Sequence, residues 1–191
     1  MMSGTTSRQR DADLLDFMFV PVRLESFHSD IRTYARLDTS RRAFWHAIFD
    51  PCPLLHDIAG SDGLAVFYPF MTWADEQAIN MGWSLHLWLY RWLIDSTYAD
   101  GVTVPMARSL RAACAARWAI SDRTEQAGIV IGQAGDPVWT VGWKCRDIDN
   151  GREIEEIELA ELPEDPTPDF GHFVVPAFEL DTFPGWVPIP R

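Results

Sequence analysis

The feature that most constrains the fold of this chain is a change in the spacing of its apolar residues near position 127. Upstream, apolar residues recur at the helical spacing of three and four, as along residues 106–120. Downstream, apolar and polar residues alternate in three segments, 127–133, 137–145 and 153–162, as in strands joined by turns. These patterns predict an α+β protein in which helices pack on a mostly antiparallel sheet that ends in a C-terminal β-meander.

The part of the chain before this change is predicted to be mostly helical. Proline residues mark where elements end, because proline lacks the backbone N–H that continues a hydrogen-bond ladder. Ser, Thr, Asp and Asn residues mark where helices begin, because their side chains can cap a helix. The predicted elements are, in order, an edge strand at 14–24, helices at 26–37 and 39–49, a strand at 64–70, and helices at 72–97 and 104–120. On the last of these helices we expect Arg108 and Arg111 to face solvent.

The last segment, residues 163–191, combines seven of the thirteen prolines with several aromatic residues. Disordered tails are usually poor in aromatic residues, so this segment is predicted to be an ordered, extended wrap on the domain. The predicted organisation is therefore a flexible arm at 1–13 and a single α+β domain at 14–191, with the wrap at 163–191 as its end.

Negative charge is concentrated toward the C-terminus. The chain has a net charge of −12, and residues 151–191 contribute −8 of it, from ten acidic and two basic groups. This charge disfavours nucleic acid and anionic membranes, and it favours a basic protein partner. It also fits a surface that only keeps a tryptophan-rich protein soluble, and the sequence does not decide between the two. The candidate partner-binding residues are Glu153, Glu155, Glu156, Glu158, Glu161, Glu164 and Asp165, with Trp139 and Trp143 as aromatic anchors.

Targeting and membrane signals are not seen in the sequence. The most apolar stretch, Trp83–Ile94, is 12 residues long, whereas a membrane span needs about 20. The three cysteines are too few and too far apart for a disulfide framework, which favours a reducing compartment. The expected location is the cytoplasm, and the oligomeric state is left open.

No catalytic signature is recognisable, so no catalytic residue, metal site or cofactor is assigned. Gly-rich phosphate loops, nucleophile elbows and paired zinc-ligand motifs are missing from the sequence. Cys52 and His56 form the nearest approach to a metal-ligand pair, and Cys52 is equally well explained as a small buried residue between prolines. His86 lies in an apolar stretch, which is more typical of a hydrogen-bonded core histidine than of a catalyst.

In size, acidity and lack of catalytic motifs, the chain resembles bacterial immunity proteins as a class. That resemblance implies a small acidic binding protein, not an enzyme, that neutralises or escorts a basic toxin or effector. Three alternatives stay open: a chaperone for a secreted effector, an enzyme without a recognisable motif whose pocket is lined by Trp side chains, and a phage or assembly component.

Overall fold

The computed structural model describes residues 31–144, 153–160 and 169–191, with side chains described from Asp38 onward. The described residues form two compact units, one that ends at Gln77 and one that begins at Ala78, and each unit is considered by itself. The predicted arm at 1–13 and the predicted strand at 14–24 lie outside the described residues. The single-domain organisation stays a prediction.

The first unit consists of helices and turns. Helix α1 spans Ile31–Phe49, a 3-10 turn spans Pro53–Leu55, α2 spans His56–Ala59 and α3 spans Leu64–Glu76. The predicted break between two helices near residue 38 is wrong, because α1 runs through it without interruption. No glycine or proline lies within α1, so Thr39 and Ser40 continue the helix instead of capping a new one. The predicted end at the prolines after Phe49 is confirmed.

The strand predicted at 64–70 is wrong, because these residues form the first half of α3. The buried residues of α3 follow a helical spacing that a short apolar run conceals: Val66, Phe67, Phe70, Met71 and Ala74. The long helix predicted at 72–97 is also wrong. α3 ends at Glu76, the chain turns through Ala78 with a φ of 53°, and a separate helix α4 spans Leu85–Ile94.

The second unit carries α4, α5 and the sheet. Helix α5 spans Val104–Ser121 and is capped by Thr103, whose side-chain oxygen accepts a hydrogen bond from the Met106 N–H at 3.3 Å. The strands are β1 Gly128–Gln133, β2 Val138–Trp143, β3 Glu153–Glu158, β4 Phe170–Val175 and β5 Val187–Pro188. All of their pairings are antiparallel, in the order β3-β2-β1-β4-β5. The α+β class and the meander of β1, β2 and β3 are therefore confirmed.

Helices α4 and α5 cover one face of this sheet. Cys114, Ala115 and Trp118 of α5 pack with Ile129 and Ile131 of β1, and all five are buried. α5 comes so close to β2 that a Cβ atom added at Gly142 would lie 2.8 Å from the Ala115 Cβ atom. A glycine in β2 therefore allows the helix to lie directly on the sheet. Among the described residues, no helix combines the length and apolarity needed to span a bilayer.

The C-terminal segment, residues 176–191, covers the opposite face, as predicted for the ordered wrap at 163–191, of which residues 163–168 lie outside the described residues. Four rings form an aromatic cluster there, with centroid separations between 5.2 and 6.0 Å: Trp139, Phe173, Phe183 and Trp186. Trp186 lies over Gly132 and Gly171, which are paired across β1 and β4. Farther along, the Pro190 carbonyl accepts hydrogen bonds from the Trp88 indole at 2.8 Å and the Ser84 hydroxyl at 3.1 Å. The end of the chain thus contacts both the sheet and the start of α4.

Replacement of Gly132 by alanine is expected to destabilise the protein by about 1–3 kcal/mol. The new Cβ atom would lie 2.3 Å from the Trp186 ring, so the ring must leave its place on the sheet. Urea unfolding followed by tryptophan fluorescence measures the effect. Gly82→Ala is the matched control, since its Cβ atom would meet no atom closer than 3.4 Å, and its midpoint should change little. Equal midpoints for Gly132→Ala and the wild type would contradict the role of this glycine pair.

Candidate functional site

The start of α5 and the turn between β1 and β2 bring together a compact ion-pair cluster, which consists of Arg108, Arg111 and Asp136. The two arginines are three residues apart, so they lie on neighbouring positions of one helix surface. The turn that joins β1 to β2 places Asp136 opposite them, with Gly135 at a φ of 73° just before it. The Asp136 carboxylate also accepts the Val138 N–H at 3.1 Å, so it fixes its own turn.

The Asp136 carboxylate is shared by both guanidinium groups. Arg108 donates to it through Nη2 at 3.0 Å and Nε at 3.2 Å, and Arg111 donates through Nη2 at 2.6 Å. Arg111 is fully buried, so the expectation that it faces solvent is wrong, whereas the Arg108 side chain is 32% exposed. Arg111, Ala115 and Trp118 follow the spacing of one helix face and are all buried, and the prediction that Arg111 faces solvent overlooked this spacing.

Burial and ion pairing shift the pKa values of Asp136 and Arg111 in opposite directions. Burial alone would raise the pKa of Asp136, but the hydrogen bonds from Arg108 and Val138 and the charge of Arg111 outweigh it, and the pKa is lowered. For Arg111, burial dominates and lowers the pKa, although Asp136 opposes this shift. Asp136 is therefore an ionised carboxylate at neutral pH. Burial of the cluster lowers the stability of the protein unless its charges are paired.

Two clefts lie on either side of Arg108. The first cleft has a volume of about 380 Å³, and it is bounded by α4, the start of α5 and the β1–β2 turn. Tyr90, Thr103 and Gln133 contribute polar groups to it, and Val104 and Ala107 contribute apolar walls. The second cleft, also about 380 Å³, lies between α5 and β3, and Glu156 and Ala112 line it. Arg108 and Val104 border both clefts, so they form the divide between them.

The predicted acidic residues of β3 lie on the outermost strand of the sheet. Glu153, Glu155, Glu156 and Glu158 are all exposed, and no described strand pairs with the outer side of β3. The register with β2 assigns Glu156 and Glu158 to the face that α5 covers, and Glu153 and Glu155 to the aromatic face. The remaining predicted acidic residues, Glu161, Glu164 and Asp165, lie outside the described residues.

The predicted aromatic anchors differ in their surroundings. Trp139 is half-buried in the aromatic cluster and is paired with Ile157 of β3. Trp143 is only 7% exposed and contacts Phe178 at 5.8 Å between ring centroids, so the expectation that it is an exposed anchor is wrong. Trp143 is buried because the C-terminal segment covers its face of the sheet, which the strand pattern alone does not indicate.

The histidines and the cysteine singled out as candidate ligands or catalysts in the sequence are not members of the ion-pair cluster. His56 donates a hydrogen bond from Nδ1 to the Gly60 carbonyl oxygen at 3.1 Å, and the Cys52 side chain is fully buried. His86 is fully buried within α4. Within residues 31–144, 153–160 and 169–191, no three candidate ligands are grouped as a metal site would require.

Replacement of Asp136 by asparagine is expected to cost about 3–5 kcal/mol of stability, because it leaves the buried Arg111 charge without its carboxylate. Asp169→Asn is the matched control, since Asp169 pairs with Arg91 at a site where both side chains are about 30% exposed. That control should cost about 1 kcal/mol or less. The free energy of unfolding is measured for both variants in urea at neutral pH. Equal losses in the two variants would contradict the special role of the buried pair.

Cys114 is expected to resist alkylation while the protein is folded. Burial raises the pKa of the Cys114 thiol to about 12, and the thiolate is the reactive form. Treatment with iodoacetamide at pH 8, followed by peptide mass spectrometry, should leave Cys114 unmodified in buffer and modified in urea. The reaction in urea is the internal control for peptide recovery. Rapid modification in buffer would show that the site opens readily.

Comparison with known proteins places the chain in a family. A family model described as "Methanobactin biosynthesis cassette protein MbnC-like" matches residues 24–190, and no curated protein matches the chain. A biosynthetic family contradicts the prediction of an immunity protein that neutralises or escorts a toxin or effector, and that prediction is wrong. It also conflicts with the prediction that the chain is not an enzyme, although the family description names no reaction. Because the match covers most of the sequence, the chain belongs to the family of MbnC-like methanobactin biosynthesis cassette proteins.

Proposed function

We propose that the chain serves methanobactin biosynthesis by binding a basic, extended segment of another protein or peptide of the same cassette along the outer edge of β3. The observation that carries this proposal is the acidic edge strand, since four of the six residues of β3 are exposed glutamates. The family match supports the role in biosynthesis, and the exposed acidic strand supports the proposed mode of binding. The proposal assigns no bond-making or bond-breaking step to the residues of this chain.

The backbone of β3 offers a template for strand addition. β3 is paired with β2 over its whole length, from Glu153 opposite Trp143 to Glu158 opposite Val138. Its other side pairs with no described strand, and an edge of this kind can accept an extended segment through main-chain hydrogen bonds. Because β3 is held in register by β2, it needs no folding on binding, which lowers the entropic cost of association.

The side chains of β3 add charge selectivity to that template. Glu153 and Glu155 lie on one face and Glu156 and Glu158 on the other, so an added strand would meet carboxylates on both sides. Like charges this close together repel each other, and Lys or Arg side chains on the added strand would relieve the repulsion. Such complementarity raises the association rate and the specificity for a basic segment.

The proposal is tested with a variant in which Glu153, Glu155, Glu156 and Glu158 are all replaced by glutamine. The full chain is produced together with the other proteins and the peptide of its cassette, and the component that copurifies is titrated against the purified chain at low and high salt. We expect wild-type binding that weakens with salt and affinity at least about tenfold lower in the variant.

A matched control removes the same number of charges from exposed acidic residues that are not part of β3: Asp57→Asn, Glu76→Gln, Asp95→Asn and Glu125→Gln. This control should retain most of the affinity, because it alters the overall charge equally but leaves the strand intact. Equal losses of affinity in both variants would show that net charge, and not the β3 surface, determines binding. Unchanged binding by the β3 variant, or no cassette component bound by the wild type, would overturn the proposal.

A further inference from the structure

The first cleft, beside Arg108, has the size and lining of a small-molecule site. Its volume of about 380 Å³ lies within the range of ligand pockets. Val102, Val104, Ala107 and Pro137 supply apolar walls, and the polar groups lie between them. The cleft is separate from the outer edge of β3, so it is not part of the binding surface proposed above.

The two arginines of the cluster outnumber the carboxylate with which they form ion pairs. Arg108 and Arg111 both pair with Asp136. On the far side of Arg108, Glu156 lines the second cleft and acts electrostatically on both arginines, and Glu158 acts on Arg108. Neither glutamate lines the first cleft, where Arg108 is the basic residue and Asp136 the acidic one. A carboxylate in the first cleft would therefore approach Arg108 from the side away from these glutamates.

Arg111 provides a second, independent observation. The side chain is fully buried, and its Nε and Nη1 atoms have no hydrogen-bond partner among the described residues. Burial of an incompletely compensated charge is costly, and an anion bound close to the cluster would reduce that cost. An anionic ligand would therefore stabilise this cluster more than it would stabilise a cluster in which every charge is already paired.

Three groups are placed to donate hydrogen bonds into the cleft. The Arg108 guanidinium borders the cleft and is partly exposed. The Tyr90 oxygen accepts the Gln133 side-chain N–H at 2.9 Å, and the Thr103 oxygen accepts the Met106 N–H, so both hydroxyl hydrogens are left over from these bonds. One guanidinium flanked by two hydroxyl donors suits the two oxygens of a carboxylate.

We propose that the first cleft binds a small carboxylate, which Arg108 holds together with the hydroxyl groups of Tyr90 and Thr103. The carboxylates of Asp136, Glu156 and Glu158 all act on Arg108 and disfavour a highly charged phosphate, so the cleft suits a monoanion better. The carboxylate can come from a peptide C-terminus or from an acidic side chain, and both sources present the same chemistry.

The test is an NMR titration of the ¹⁵N-labelled full chain at low ionic strength with three probes. N-acetylglycine mimics a peptide C-terminus, N-acetylaspartic acid α-amide carries only a side-chain carboxylate, and N-acetylglycinamide carries no charge. We expect saturable binding of at least one carboxylate at ~1 mM, with shifts at the backbone amides of Val102, Ala107 and Gly135. The carboxylate that binds more tightly identifies the source, and the uncharged amide should bind at least about tenfold more weakly.

Arg108→Gln tests the assigned residue, and Arg117→Gln is its matched control on the same helix, where Arg117 donates to the Met81 carbonyl outside the cleft. We expect at least about tenfold weaker carboxylate binding for Arg108→Gln and unchanged binding for Arg117→Gln. If the spectrum of Arg108→Gln shows an unfolded chain, Tyr90→Phe replaces it, with a severalfold loss expected. Equal binding of the amide and the carboxylates, shifts that map elsewhere, no saturable binding, or unchanged affinity in the folded cleft variant would each overturn the proposal.

Discussion

The ion pairs of Asp136 connect the two halves of the second unit. On one side they hold the turn between β1 and β2, where the carboxylate also accepts the Val138 N–H. On the other side they hold the start of α5 through Arg108 and Arg111. Because Arg111 is fully buried, its charge needs a partner, and Asp136 is the carboxylate that pairs with it. The position of α5 over the sheet, and both clefts beside Arg108, depend on this contact.

Both faces of the sheet are closely packed, and β3 is an edge strand with exposed side chains. Helix α5 lies on one face, where Gly142 allows contact with Ala115. The C-terminal segment lies on the other, where Trp186 occupies the space above Gly132 and Gly171. β5 pairs with β4 at Gly171 and His172, so part of the opposite edge is also covered. The charge of β3 is what protects such an edge from unwanted pairing, and the same charge selects for a basic partner.

The family match changes how the acidic region is interpreted, without changing its chemistry. Negative charge on a small protein is compatible with many binding roles, so composition alone could not distinguish a toxin inhibitor from a biosynthetic protein. Biosynthesis requires that components meet and that the right one is selected, and an exposed strand in fixed register with β2 is suited to that selection. The carboxylate cleft proposed beside Arg108 would add a second point of recognition on the same unit, with the opposite preference in charge.

Local pattern was sufficient for the elements whose spacing is unambiguous, and tertiary contacts decided the others. The alternation after residue 127 determined β1, β2 and β3 and their antiparallel order, and Thr103 with Pro105 marked the start of α5. Residues 64–70 form the first half of α3 and not a strand, because a short apolar run fits a strand and a buried helix equally well, and only its packing distinguishes the two.

The candidate site shows the same division. The acidic character of β3 was determined by the sequence itself, since charge is carried by the residues wherever they lie. The burial of Arg111 and the cleft beside it were decided only by the tertiary structure, because Asp136 lies 25 residues farther along the chain. The chain must fold α5 against the β1–β2 turn before these groups can meet, and no local pattern encodes that distance.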